Sequence, residues 1–230
     1  MDMTAVLFLV GFLLVFGLML SMFLRSNRRE KETKQQAAQS LGFFPLNADK
    51  NLTQKISTLY QRTWSNKSYG LRNVFRRVIP EGEMLLFDLV GTTSEDDSSI
   101  ERQAVALISP SLNLPPFSLT PKVNQKYALS GLSNRIMEWG VSKIGEPVAF
   151  PQFPELTERY VITSPDPDRL RRFMDEPLAR FLSQTEMFTL HAAGDMFTFA
   201  EIDPSFKTTD LQSLSRRVNR ALEIFRALRR

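Results

Sequence analysis

The sequence predicts an α+β protein: an N-terminal transmembrane helix, then one domain with a largely antiparallel sheet and packed helices. Three observations predict it. Residues 3–24 form an uncharged apolar run. Three extended segments between Leu71 and Ser109 follow one another across a tight turn and a polar loop, as in a meander. A C-terminal segment repeats apolar residues at helical spacing. Strands and helices do not alternate regularly, which sets aside a doubly wound βαβ fold.

The apolar run has 22 residues, and its polar side chains are Thr4 and Ser21. A helix of that length spans roughly 33 Å, enough for a bilayer core of about 30 Å. A cleaved signal peptide is the rival reading. No Lys or Arg precedes the run, and Phe23, Leu24 and Arg25 stand where small residues would mark cleavage. Asp2 lies before the run and a basic cluster lies directly after it, so the positive-inside rule puts the domain in the cytoplasm and the N-terminus outside. The expected location is the plasma (inner) membrane, with the lipid bilayer as a first partner. Gly17 and Ser21 form a small-xxx-small pair that would permit a weak homodimer; such residues are common in membrane helices without one.

Residues 25–42 read as a basic juxtamembrane stalk helix. Their composition favours helix, Glu30 and Lys34 are spaced i,i+4, and Gly42 is a natural stop. The alternative is a flexible linker from Ser26. Arg25, Arg28, Arg29, Lys31 and Lys34 are the expected membrane-interface residues. Residues 25–34 carry five basic groups against two acidic, and residues 207–230 seven against two, so the formal charge of +4 leaves the body mildly acidic. A nucleic-acid-binding body would carry a basic stripe of its own, so no nucleic-acid partner is expected.

Residues 43–230 form the domain. Residues 52–62 suit a short helix. Leu71–Ile79, Met84–Gly91 and Ile100–Ser109 are strands, with a turn at Pro80-Glu81-Gly82-Glu83. The proline-rich stretch from Pro110 to Pro121 is extended or turned. Val123–Ile144 is helical, residues 147–155 form a loop, and Glu158–Thr163 is a strand. Pro165-Asp166-Pro167-Asp168 starts a helix through Leu182 with a break before Pro177. Met187–Ala192 and Met196–Ile202 pair as a hairpin. In the last helix Leu211, Leu214, Val218, Ala221, Leu222, Phe225 and Leu228 share one arc, with Arg216, Arg220 and Glu223 opposite.

Chemistry is sparse. The chain has no cysteine, which removes disulfides and thiolate sites, and His191 is its one histidine. No orienting partner for His191 is identifiable, so a structural role outweighs a catalytic one. Asp88 sits inside an apolar strand, where a buried carboxylate could act as an acid; pairing with Arg72, Arg76 or Arg102 is the simpler reading. Glu95-Asp96-Asp97 lacks the glycine and terminal glutamate of a calcium loop. No catalytic residue, metal or cofactor is expected. Arg216, Arg217, Arg220 and Arg226 are candidate lipid or partner contacts.

Asn73-Val74, Phe87-Asp88, Gln103–Leu107, Leu114–Pro121 and Leu156–Tyr160 carry a resemblance. The stretch from about residue 40 to 200 resembles an uncharacterised family of small bacterial single-pass membrane proteins with a cytoplasmic α+β domain. The resemblance implies architecture and membrane attachment and adds no chemistry. The expected function is a membrane-tethered, non-enzymatic interaction or scaffold domain with an unknown protein partner. The alternatives are a membrane-anchored enzyme using Asp88 or the Asp96 region, and a lipid-sensing domain using the basic C-terminal helix.

Overall fold

The computed structural model describes residues 32–61, 67–93, 100–122, 147–201 and 210–229, with Phe16 and Met19. Eight strands form one sheet: β1 (Phe44–Pro45), β2 (Lys67–Ile79), β3 (Gly82–Thr93), β4 (Ile100–Ile108), β5 (Leu114–Pro121), β6 (Tyr160–Thr163), β7 (Phe188–Gly194) and β8 (Met196–Glu201). Their order is β1-β2-β3-β4-β8-β7-β5-β6, and every pairing is antiparallel. The α+β expectation therefore holds. Five helices are named α1 (Lys50–Gln61), α2 (Pro154–Arg159), α3 (Pro167–Phe173), α4 (Glu176–Gln184) and α5 (Leu211–Leu228). Residues 32–40 are helical as well.

The meander β2–β3–β4 forms as the alternation predicts. Its first turn is tight: Ile79 pairs with Gly82 around Pro80-Glu81. Gly82 has φ +149°, and a Cβ there would lie 2.1 Å from the Ile108 carbonyl oxygen, so the position accepts no side chain. The proline-rich stretch becomes β5, inside the sheet between β7 and β6. Proline supplies no ladder N–H and survives within sheets at irregularities. Pro115 and Pro116 fall in the register shift between Leu114 and Phe117, and the Pro116 carbonyl accepts from the Ser164 hydroxyl at 2.6 Å.

Alternating side chains make two cores. Val105, Leu107, Phe197, Phe199, Phe188 and Leu190 face a large cluster shared with residues 32–40 and helices α2 to α5. Leu85, Phe87, Leu89, Ala104 and Ala106 face a smaller one, covered by Ile56, Leu59 and Tyr60 of α1. The Tyr60 ring lies 5.6 Å from Tyr69 on β2 and 4.6 Å from His191 on β7, so α1 crosses the sheet. His191 is buried there as a packing residue.

Aspartates start four of the five named helices. Asp49, Asp166, Asp175 and Asp210 accept the N–H of Leu52, Arg169, Leu178 and Ser213 at 2.7, 3.0, 3.0 and 2.9 Å. These bonds satisfy N–H groups that the helix itself leaves open. The expected break before Pro177 is the α3–α4 junction, with Asp175 as the second cap.

Several expectations need correction. Residues 154–159, read as the end of a loop and the start of a strand, are helix α2, with Pro154 in the first turn and Glu155 favouring the positive end. Leu211, assigned to the apolar arc of α5, is 47% exposed, while Ile224 and Arg217 are buried. Residues 32–40 do not stand clear of the domain as a stalk would. Ala37 and Ala38 are buried in the main core, Gly42 turns the chain with φ +77°, and Phe43 is buried. Among the described residues no helix is long and apolar enough to cross a membrane. The apolar run 3–24 lies outside them apart from Phe16 and Met19, which are helical and exposed. The Gly17–Ser21 pair, Arg25, Arg28, Arg29, Lys31, the Asp96 region and the helix expected at 123–144 also lie outside them.

Candidate functional site

A polar row crosses one end of the main core face. It starts at Asp88 on β3. Asp88 pairs in register with Gln103 on β4 and with Arg72 on β2. Gln103 lies two residues beyond the Val105–Phe199 pair, at the level of Glu201 on β8. Two helices lay cations onto this row. Lys34 Nζ donates to Asp88 Oδ1. Arg217 of α5 donates through Nη1 to Gln103 Oε1 and through Nε to Glu201 Oε2 at 3.2 Å.

Each member is locally prepared. Asn73 Nδ2 donates to Asp88 Oδ2 at 2.7 Å. Asn73 has φ +48° in the irregular stretch between Arg72 and Phe75, a conformation that Asn tolerates better than most residues. Both carboxylate oxygens of Asp88 are thus engaged. Its side chain is 16% exposed and that of Lys34 is 8%. Asp88 is therefore part of a largely buried ion pair with Lys34, a cation that strand pairing did not suggest, while Arg76 pairs with Glu83 instead.

Two predicted contact residues move accordingly. Lys34 was expected at the membrane interface, and its side chain instead turns into the domain. Arg217 was expected at a lipid or partner surface, and it is 3% exposed. The spacing held the signal in both cases. Lys34 stands i,i+3 and i,i+4 from Ala37 and Ala38. Arg217 stands i,i+3 and i,i+4 from Leu214 and Ala221, inside the buried row. Its charge concealed its position.

On the outer side of the row lies an open polar cleft of ≈ 610 Å³. Glu186 and Glu201 form its sheet side. Arg216, Asn219, Arg220 and Glu223 line it from α5, with Gln212 and Ser213 at the helix start. Glu201 is shared: besides Arg217 it meets Arg216 at 3.7 Å. Arg220 is held by the Glu186 carbonyl at 2.8 Å and lies 5.8 Å from the centre of the Phe188 ring. At Tyr160, burial pushes the hydroxyl above its ordinary pKa, against the opposing pull of the Phe188 backbone and of Arg159 and Arg220. Arg226 is exposed beyond the cleft.

The cleft carries three carboxylates and two guanidiniums, a balance that does not favour a polyanion. Its lining is polar, whereas small-molecule pockets are mostly apolar. It can exchange hydrogen bonds and opposite charges with an extended polar segment. Among the described residues no group of three or more His, Asp or Glu is placed to hold a metal.

Magnitudes decide where α5 sits. Leu214, Val218, Ile224, Phe225 and Leu228 are all buried, and each such side chain contributes roughly 1.5–3 kcal/mol. A basic group near an anionic leaflet contributes about 1 kcal/mol. The helix packs in the core, and what it offers outward is the cleft. No family model, curated protein or solved structure matches the chain.

Proposed function

We propose that the chain is a single-pass, membrane-tethered interaction module without catalytic activity, its domain in a bacterial cytoplasm. It binds a polar, mixed-charge segment of a protein partner in the cleft along α5. One observation carries this reading: the cleft presents both signs of charge on a floor that does not yield, because Glu201 is fixed from behind by the buried Arg217. Pre-set charges of both signs give specificity through complementarity more than raw affinity. The uncharged run 3–24, the basic residues after it and the family resemblance support the tether. The enzyme alternative loses its best residue, since Asp88 is occupied by Lys34 and Asn73. The lipid alternative loses Arg217.

The test uses the full chain in its membrane, with a photo-crosslinking residue at Asn219 and, as a control, at the exposed Arg171 of α3. The expected result is a discrete protein adduct at Asn219, absent at Arg171 and weakened by Glu223→Lys. Equal adducts at both positions, or an Asn219 adduct indifferent to Glu223→Lys, contradict the reading.

A further inference from the structure

We infer that the sheet stands on end over the membrane. The rim bearing Arg72, Asp88, Gln103 and Glu201 faces the bilayer, and the rim of the β2–β3 turn, Ile79 to Gly82, points away. This rests on the tether proposed above and adds the direction in which the domain is held.

The path of residues 32–44 carries the argument. Lys34 is fixed to Asp88 at the first rim. A Cβ at Gly42 would lie 3.6 Å from Arg77 Nε, and Phe44 pairs with Arg76, both further toward the second rim. The helical segment therefore runs along β2 from the first rim toward the second. Lys34 to Gly42 rises about 12 Å as helix, and Arg72 to Arg77 spans about 16 Å of strand, so the two paths match. The buried Ala37, Ala38 and Phe43 hold the segment on the core along that path.

Residues 32 and 33, which continue the same helix before Lys34, then head past the first rim. Leu24 lies ten positions before Lys34, a link of about 15 Å as helix and at most about 35 Å extended. With the far rim against the lipid, Lys34 would stand a further 20 Å or so from the surface, which stretches a link whose composition favours helix. With the near rim toward the lipid, the link needs no stretching. The cleft, whose Glu201 belongs to the near row, then opens close to the bilayer. The occupant best placed to reach it is a cytoplasmic segment of another membrane protein.

Because the chain has no cysteine, single labels are clean. Gly70→Cys reports the near rim; it is exposed, and a Cβ there meets only the Val90 carbonyl oxygen at 4.0 Å. Val78→Cys, 69% exposed, reports the far rim about 26 Å along the strand. Glu186→Cys and Pro110→Cys form a second near–far pair. Each full-length variant is labelled with a fluorophore and reconstituted into liposomes whose headgroups carry a quencher. The expected result is several-fold stronger quenching at Gly70 and Glu186 than at Val78 and Pro110. Equal or reversed quenching in protein that floats with the liposomes overturns the orientation and leaves the tether standing. Protein that does not float overturns the tether and the orientation with it.

Discussion

Arg217 and Lys34 show how much one buried charge organises. Arg217 joins β4, β8 and α5, and its bonds to Gln103 and Glu201 use different guanidinium nitrogens. Arg217→Ala leaves the Glu201 carboxylate, 15% exposed, without its main cation and the Gln103 oxygen without its donor. The expected loss is about 3 kcal/mol in a denaturant titration. Arg217→Lys recovers little of it, because one ammonium cannot reproduce the planar fork. Arg226→Ala, on the exposed side of the same helix, changes stability by less than about 0.5 kcal/mol. Equal losses at positions 217 and 226 would remove the row from the account. Asp88 was visible in the sequence as an acid within an apolar strand. Its cation was not, because Lys34 lies 54 positions away and sequence spacing carries no information on that pairing.

At the scale of elements, local chemistry was legible and tertiary choice was not. The Asp166-Pro167 start and the Asp175 break were readable because capping and proline geometry act within four residues. The meander was readable from alternation. The strand β5 was not, since three of its eight residues are proline, two of them where its ladder with β7 shifts register and the third, Pro121, at its end opposite Tyr160. The N-terminus of α5 gives a pH-dependent test. Hydrogen bonds from the Ser213 backbone and side chain hold Asp210 below the ordinary carboxylate value of 3.8. A lowered folded pKa means that the contribution is complete above 3.8 and is lost as pH falls through the folded value. Asp210→Asn retains an N-cap acceptor but does not titrate, so its thermal midpoint should change less than that of the parent between pH 5 and pH 2. Parallel midpoint curves would mean that the cap carries no such linkage.

At the scale of the molecule, the sheet is clamped at one end by two helices from opposite ends of the sequence. Composition and periodicity announced the α+β class. They did not announce that residues 32–40 belong to the domain, since a solvated stalk and a docked helix share the same helix-forming composition. What separates them is Lys34, Ala37 and Ala38 on one side of the segment, buried against the sheet. That docking is the central claim, because the proposed tether acquires an orientation only through it. Native-state amide hydrogen exchange on the full-length protein tests it most directly. The account predicts that amides 37–40 are protected to within tenfold of the core amides of β3 and β4, and that Lys34→Ala lowers this protection while leaving the β7–β8 hairpin unchanged. Amides 37–40 exchanging like an isolated peptide, with β3 and β4 fully protected, would contradict it.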